Sequence, residues 1–105
     1  MKAKGRIAHK TAYPHIVKTE GVNGGAATIE GTRMGVWHIV EYYYKVGMSV
    51  EEIVMEWTHI NPAQVFSALA YYHDNRAEID ALRERNSYEY WLKHHAHASA
   101  QTTSQ

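Results

Sequence analysis

The sequence predicts a mostly α fold: a short β-ribbon, a small three-helix bundle containing a helix-turn-helix, and an extra C-terminal helix. Two observations carry this. Turn-forming Gly and Asn cluster ahead of residue 36, and after it apolar residues recur at helical spacing between well-marked caps. At 105 residues, one domain is expected, with a core large enough to fold without disulfides.

Residues 1–14 show no periodicity and are expected to form a basic arm. Residues 15–20 (HIVKTE) and 26–30 (AATIE) are short β-prone runs around Gly21-Val22-Asn23-Gly24-Gly25. The Asn-Gly-Gly supplies positive φ angles for a hairpin turn, so a two-stranded ribbon over 15–30 is expected. From Val36 the period becomes helical, with Val36, Ile39, Val40, Tyr43 and Val46 on one face of a helix over about 35–46. Gly47 suits the left-handed residue that closes it.

Ser49 and Glu52 then form a capping box for a helix over about 50–57 that buries Ile53, Val54 and Trp57. Asn61, Pro62 and Gln64 read as a cap, a first-turn proline and a reciprocal amide for a helix over 62–74, burying Val65, Ala68, Leu69 and Tyr72. Asn75, with Glu78 three residues on, reads as another cap, opening a helix over about 76–94. Residues 95–105 are small and polar and are expected to be disordered. The domain is thus expected to span 15–94, with no internal repeat.

Composition excludes several classes. The chain has no Cys, which removes disulfides, thiolate catalysis and cysteine zinc sites. No stretch approaches the roughly 18 apolar residues of a membrane span, and no apolar core follows the basic first residues as in a signal peptide. A cytoplasmic protein is expected. The formal net charge is zero but unevenly spread. Lys2, Lys4, Arg6, Lys10 and Lys18 stand in residues 1–18 without an acid, whereas residues 34–74 set Lys45 against Glu41, Glu51, Glu52, Glu56 and Asp74.

Catalytic motifs are missing: there is no nucleophile elbow, no HExxH and no Cys-His pair. Glu51 and Glu52 are explained by the positive end of a helix dipole. The glycines at 21–25 lack the Lys-Ser/Thr of a phosphate loop. Gly31-Thr32-Arg33 reads as a structural joint: Gly31 permits a sharp turn, Thr32 can bond helix-start amides, and Arg33 can pair with Glu30 or Glu41. An anion at those amides is the alternative, but nothing nearby completes a nucleotide pocket. His94, His95 and His97 cluster near a tail without a fixed frame, and His38, His59 and His73 fall on separate elements. No enzyme, metal or cofactor is therefore expected.

The helices at 50–57 and 62–74, joined by Thr58-His59-Ile60-Asn61, have helix-turn-helix lengths. Outward residues of the second would be Asn61, Gln64, Ser67 and Tyr71. That helix carries no Lys or Arg, so if DNA is bound the basic arm, with Lys2, Lys4, Arg6 and Lys10, must carry much of the affinity. Aromatic residues point elsewhere. Trp37 and Tyr44 share one side of the first helix away from its core stripe, with Tyr42 beside that stripe, and Phe66, Tyr88, Tyr90 and Trp91 add further rings. Such an excess marks a protein interface and suggests a homodimer.

Taken in order, Gly24-Gly25, Ile29-Glu30-Gly31-Thr32-Arg33, Val36, then GMSVEEI (47–53), PAQVFSALAYY (62–72) and EID (78–80) resemble the bacterial domain of unknown function 433 family over about residues 15–82. The resemblance implies a homeodomain-like three-helix fold behind a β element, and similarity to VapB-type antitoxins that accompany PIN-like nuclease toxins. It makes Gly31, Thr32, Arg33, Gly47, Ser49, Glu52 and Pro62 framework residues. The family usually has proline where this chain has Gly35. An antitoxin-like, non-enzymatic interaction module is the expected function, with a DNA-binding regulator as the alternative.

Overall fold

Caps and turns set the chain's course. In the computed structural model, which describes residues 7–86, β1 (Ala8–Lys10), β2 (Ile16–Thr19) and β3 (Ala27–Ile29) form an antiparallel sheet in that order. Helix α1 (Val36–Val40) runs into a π-helical turn (Glu41–Val46), followed by α2 (Val50–Glu56), α3 (Pro62–Asp74) and α4 from residue 76 to the last described residue, 86.

The sheet corrects the expected two-stranded ribbon by a third strand drawn from the end of the basic arm. Ala8 pairs with Thr19, His9 with Lys18 and Lys10 with Val17, so the end of the arm is an edge strand. Thr11 pins the return, accepting from the Tyr13 N–H at 3.1 Å and donating to the Ile16 carbonyl at 2.7 Å. Between β2 and β3 the chain turns through Asn23, Gly24 and Gly25 at φ of 49°, 65° and 84°, a run that only Gly and Asn adopt readily.

Ile16, Ala27 and Ile29 of the sheet meet Val36, Ile39 and Val40 of α1, Ile53 of α2, Val65, Ala68 and Leu69 of α3, and Ile79 of α4 in one core. The expected apolar face of the first helix holds only as far as Val40. Tyr43 is half-buried and Val46 is 65% exposed. The cause is the π turn, whose i→i+5 bonds widen the helix and retard the rotation of later side chains. Gly47, at φ 88°, closes it, and the Met48 N–H donates to the Tyr42 carbonyl at 2.9 Å.

Both sequence-read caps between α1 and α3 are formed. The Ser49 hydroxyl accepts from the Glu52 N–H at 3.0 Å, and the Glu52 carboxylate accepts the Ser49 N–H at 2.8 Å. The third expected cap differs. Asn75 donates back to the Tyr71 carbonyl at 3.0 Å, and Glu78 turns to the Tyr71 hydroxyl instead. Gly35, which begins α1, donates its N–H to His38 Nδ1 at 2.9 Å, a bond proline could not make.

Candidate interaction surfaces

Helix α3 buries one side in the core and leaves the other exposed. Its first turn is consumed by its own cap: the Gln64 N–H donates to Asn61 Oδ1 at 2.9 Å, and the Asn61 N–H to Gln64 Oε1 at 2.8 Å. These side chains, expected as base readers, are thus partly committed. Tyr71, also expected outward, is only 4% exposed. Its hydroxyl donates to both Glu78 oxygens at 3.0 Å, and its ring meets Tyr13 edge-on with centroids 5.2 Å apart. The core claims Tyr71 because α4 brings a carboxylate over it. Of the four proposed readers, Gln64 and Ser67 are half-buried and only Asn61 is exposed.

What α3 does present is apolar. Ala63, Phe66 and Ala70 are exposed at i, i+3 and i+7, with His73 completing the stripe. Phe66 is 58% exposed. The helix contains no Lys or Arg.

The aromatic side chains of the first helix do not share one face. In a regular α-helix the i, i+7 spacing of Trp37 and Tyr44 would align them. The intervening π turn instead sends Tyr44 toward α3, where its hydroxyl lies 2.7 Å from His73 Nε2. Trp37 stacks on His38 with centroids 3.9 Å apart, and Tyr42 stacks on Trp57 at 4.1 Å. Trp37 and Tyr42 line a cleft of about 470 Å³ with His38, Glu41, Lys45, Val46 and Asn86. Tyr88, Tyr90 and Trp91, and the histidines at 94, 95 and 97, lie outside the described residues, as do Lys2, Lys4 and Arg6.

A second set of polar groups fastens α4 to the rest. Arg83 Nε reaches Glu41 at 2.6 Å and its Nη1 reaches Asp80 at 2.9 Å, while the Tyr72 hydroxyl donates to Asp80 at 2.9 Å. The Tyr72 hydroxyl, and after it Arg83, hold the Asp80 carboxyl below the usual carboxylate range. Burial, then the Asp80 partner, pushes the Tyr72 phenol up. This network was not read from sequence; its members are 3 to 42 residues apart, and only the folded α4 brings them together.

Gly31-Thr32-Arg33 behaves as a joint. Gly31 sits at φ 80°, and the Thr32 hydroxyl donates to the Ile29 carbonyl at 2.8 Å while accepting from the Met34 N–H at 2.9 Å. The expected Arg33 pairing is not formed. Glu30 lies near Lys10 and Glu41 near Arg83, and Arg33 contributes its carbonyl to Asn23 at 2.8 Å. Among the described residues no group of three His, Asp or Glu side chains is placed to hold a metal, and no helix is long and apolar enough to cross a membrane.

Among the described residues, a three-stranded sheet backed by four helices, with much of its polar chemistry spent on internal caps and pairs, defines a small, mostly helical module. The chain belongs to the family described as protein of unknown function (DUF433), which matches residues 16–72. A solved structure of a DUF433 member from Anabaena variabilis ATCC 29413 is similar, with a TM-score of 0.63 and 31% identity over 67% of this chain and 68% of that one. A search of curated proteins found no match.

Proposed function

We propose that this protein is a non-enzymatic interaction module that forms a homodimer and engages a second polypeptide in the manner of a VapB-type antitoxin. A PIN-like nuclease toxin is the partner class, and the cytoplasm the place of action. The observation that carries this reading is the α3 stripe around Phe66, an exposed aromatic ring between two exposed alanines with no cation on the helix. Such a surface suits burial against protein. It is poorly suited to phosphates, which are bound mainly through Lys and Arg. Sedimentation equilibrium at tens of micromolar tests it. The wild type should be dimeric and Phe66→Asp monomeric with an unchanged circular dichroism spectrum; a monomeric wild type ends the homodimer claim.

A second reading treats α2 and α3 as a homeodomain-like helix-turn-helix in a DNA-binding regulator. One observation favours it. Lys10 is 79% exposed on β1 and has only a 3.5 Å surface pairing with Glu30, so it remains available to a phosphate. DNA would then be held by the basic N-terminal residues, with α3, which carries no Lys or Arg, supplying the base contacts.

A further inference from the structure

Away from α3, two cavities meet where α1 faces α4 and the Asn23-Gly24-Gly25 turn. One, of about 440 Å³, is lined by Asn23, Gly24, Trp37, His38, Leu82, Arg85 and Asn86. The other is the cleft beneath Tyr42 and Val46. Trp37, His38 and Asn86 line both, so the two form one groove with unlike ends. Volumes of this size are typical of small-molecule sites.

The first end is cationic. Arg85 is exposed and makes no ion pair among the described residues. No carboxylate lines that cavity. Glu78 borders the adjoining space but is engaged by Lys18 at 3.2 Å and by Tyr71. His38 accepts the Gly35 N–H on Nδ1, so its neutral ring carries the proton on Nε2 and offers a donor. Burial pushes the His38 imidazole below its ordinary value by disfavouring the charged ring, and the Gly35 bond sets the tautomer.

The second end is apolar. Trp37 is fixed by stacking on His38 and Tyr42 by stacking on Trp57, so these rings are held before any ligand arrives. Val46 was turned outward by the π helix and supplies the remaining apolar surface. Glu41 is the acid at this end, and Arg83 and Lys45 occupy its two oxygens at 2.6 and 3.9 Å.

We propose that this groove is a binding site for a small amphiphile with an anionic head, a carboxylate or phosphate ester, and an apolar body. The head would lie against Arg85 and the Asn23–Gly24 turn, and the body along Trp37, Tyr42 and Val46. This site does not depend on the α3 stripe, and its success or failure leaves the dimer reading untouched.

The test is titration of the ¹⁵N-labelled full chain with octanoate, kept below its micelle concentration, and with octanol, which has the same body without the charge. Octanoate should shift the amides of Gly24, His38 and Asn86 saturably. Octanol should bind about tenfold more weakly, the scale of one lost bond to a charged group. Arg85→Gln, an exposed change that leaves the fold intact, should bring octanoate down to the level of octanol. Trp37→Ala should weaken both, and Phe66→Ala neither. Equal binding of the two probes, an unaltered response in Arg85→Gln, shifts centred on α3, or no saturable shift would each overturn the proposal.

Discussion

Asn61 and Gln64 bind each other's backbone N–H groups, at 2.8 and 2.9 Å, across the first turn of α3. A side chain held in that way must leave a stabilising bond before it can read a base. Asn61→Ala should therefore cost about 1 kcal/mol of folding stability, the usual loss for a removed cap. Gln64→Ala should cost somewhat less, about 0.5–1 kcal/mol for one hydrogen bond at an exposed site. Neither should change sequence preference in a DNA-binding assay. A stable Gln64→Ala variant that loses discrimination among DNA sequences would point to the regulator reading.

The equivalent cap of α2 gives an independent measure. Ser49→Ala removes the acceptor of the Glu52 N–H and should destabilise by about 1 kcal/mol in urea denaturation. Sedimentation behaviour should be unchanged, because Ser49 is at the far end of α2 from Trp57 and stands in no aromatic contact.

Helix α4 is seated by Ile79, which is fully buried in the common core. Ile79→Ala should cost about 2–5 kcal/mol, the range for truncating a buried aliphatic side chain. If the cost is under about 1 kcal/mol, below that range, α4 is only loosely attached and the Tyr72–Asp80–Arg83 network does not hold it.

Stability should depend on pH at both ends. The His38 imidazole lies below its ordinary 6.5 in the folded chain because burial disfavours the charged ring. The unfolded chain then takes up the proton first, so stability falls as pH drops through 6.5 toward the folded value. Asp80 lies below its ordinary 3.8, and the stability from its pairing with Tyr72 and Arg83 is lost as pH falls further. The Tyr71 phenol is raised above 10.0, chiefly by burial, so stability is also lost as pH climbs past that value. Urea midpoints across pH should give a plateau between neutrality and 10, and His38→Gln should remove the first acid slope.

Any DNA binding should be carried by the basic N-terminal residues. Deleting them would also remove β1, so replacement by Gln at Lys2, Lys4, Arg6 and Lys10 is the cleaner change. If all four meet phosphates, the log–log salt slope should shrink by up to roughly 3.6 units, about 0.9 for each. An unaltered slope would remove those residues from the binding surface.

The elements legible in the sequence were those defined by neighbours. Ser49 with Glu52 and Asn61 with Gln64 are spaced by three residues and close within one helical turn, whereas Asn75 with Glu78, at the same spacing, loses its carboxylate to Tyr71. The Asn23-Gly24-Gly25 turn was legible because few residues tolerate its positive φ angles. Strand β1 was hidden, since Ala8-His9-Lys10 shows no alternation and acquires strand geometry only by pairing with Lys18 and its neighbours. The π turn was hidden for another reason. Helical spacing assumes equal rotation per residue, so Val46 was placed inward and Tyr44 beside Trp37, and one widened turn overturned both. Tyr71 looked outward because its cover, α4 with Glu78, begins only after α3 has ended.

Strand β1 is three residues long, exposed throughout, and pairs on one side only among the described residues. The Glu20 N–H donates to Ile7 and the Thr11 N–H to Ile16, so by antiparallel alternation the backbone of Ala8 and Lys10 faces away from β2. Such an edge can template the pairing of another chain, and lysine is a common guard against it. Lys10 on this edge thus carries a charge that disfavours edge-to-edge pairing with another copy, a consequence independent of any ligand. Replacing Lys10 with an uncharged residue should ease self-association through this edge, even where folding and binding are intact.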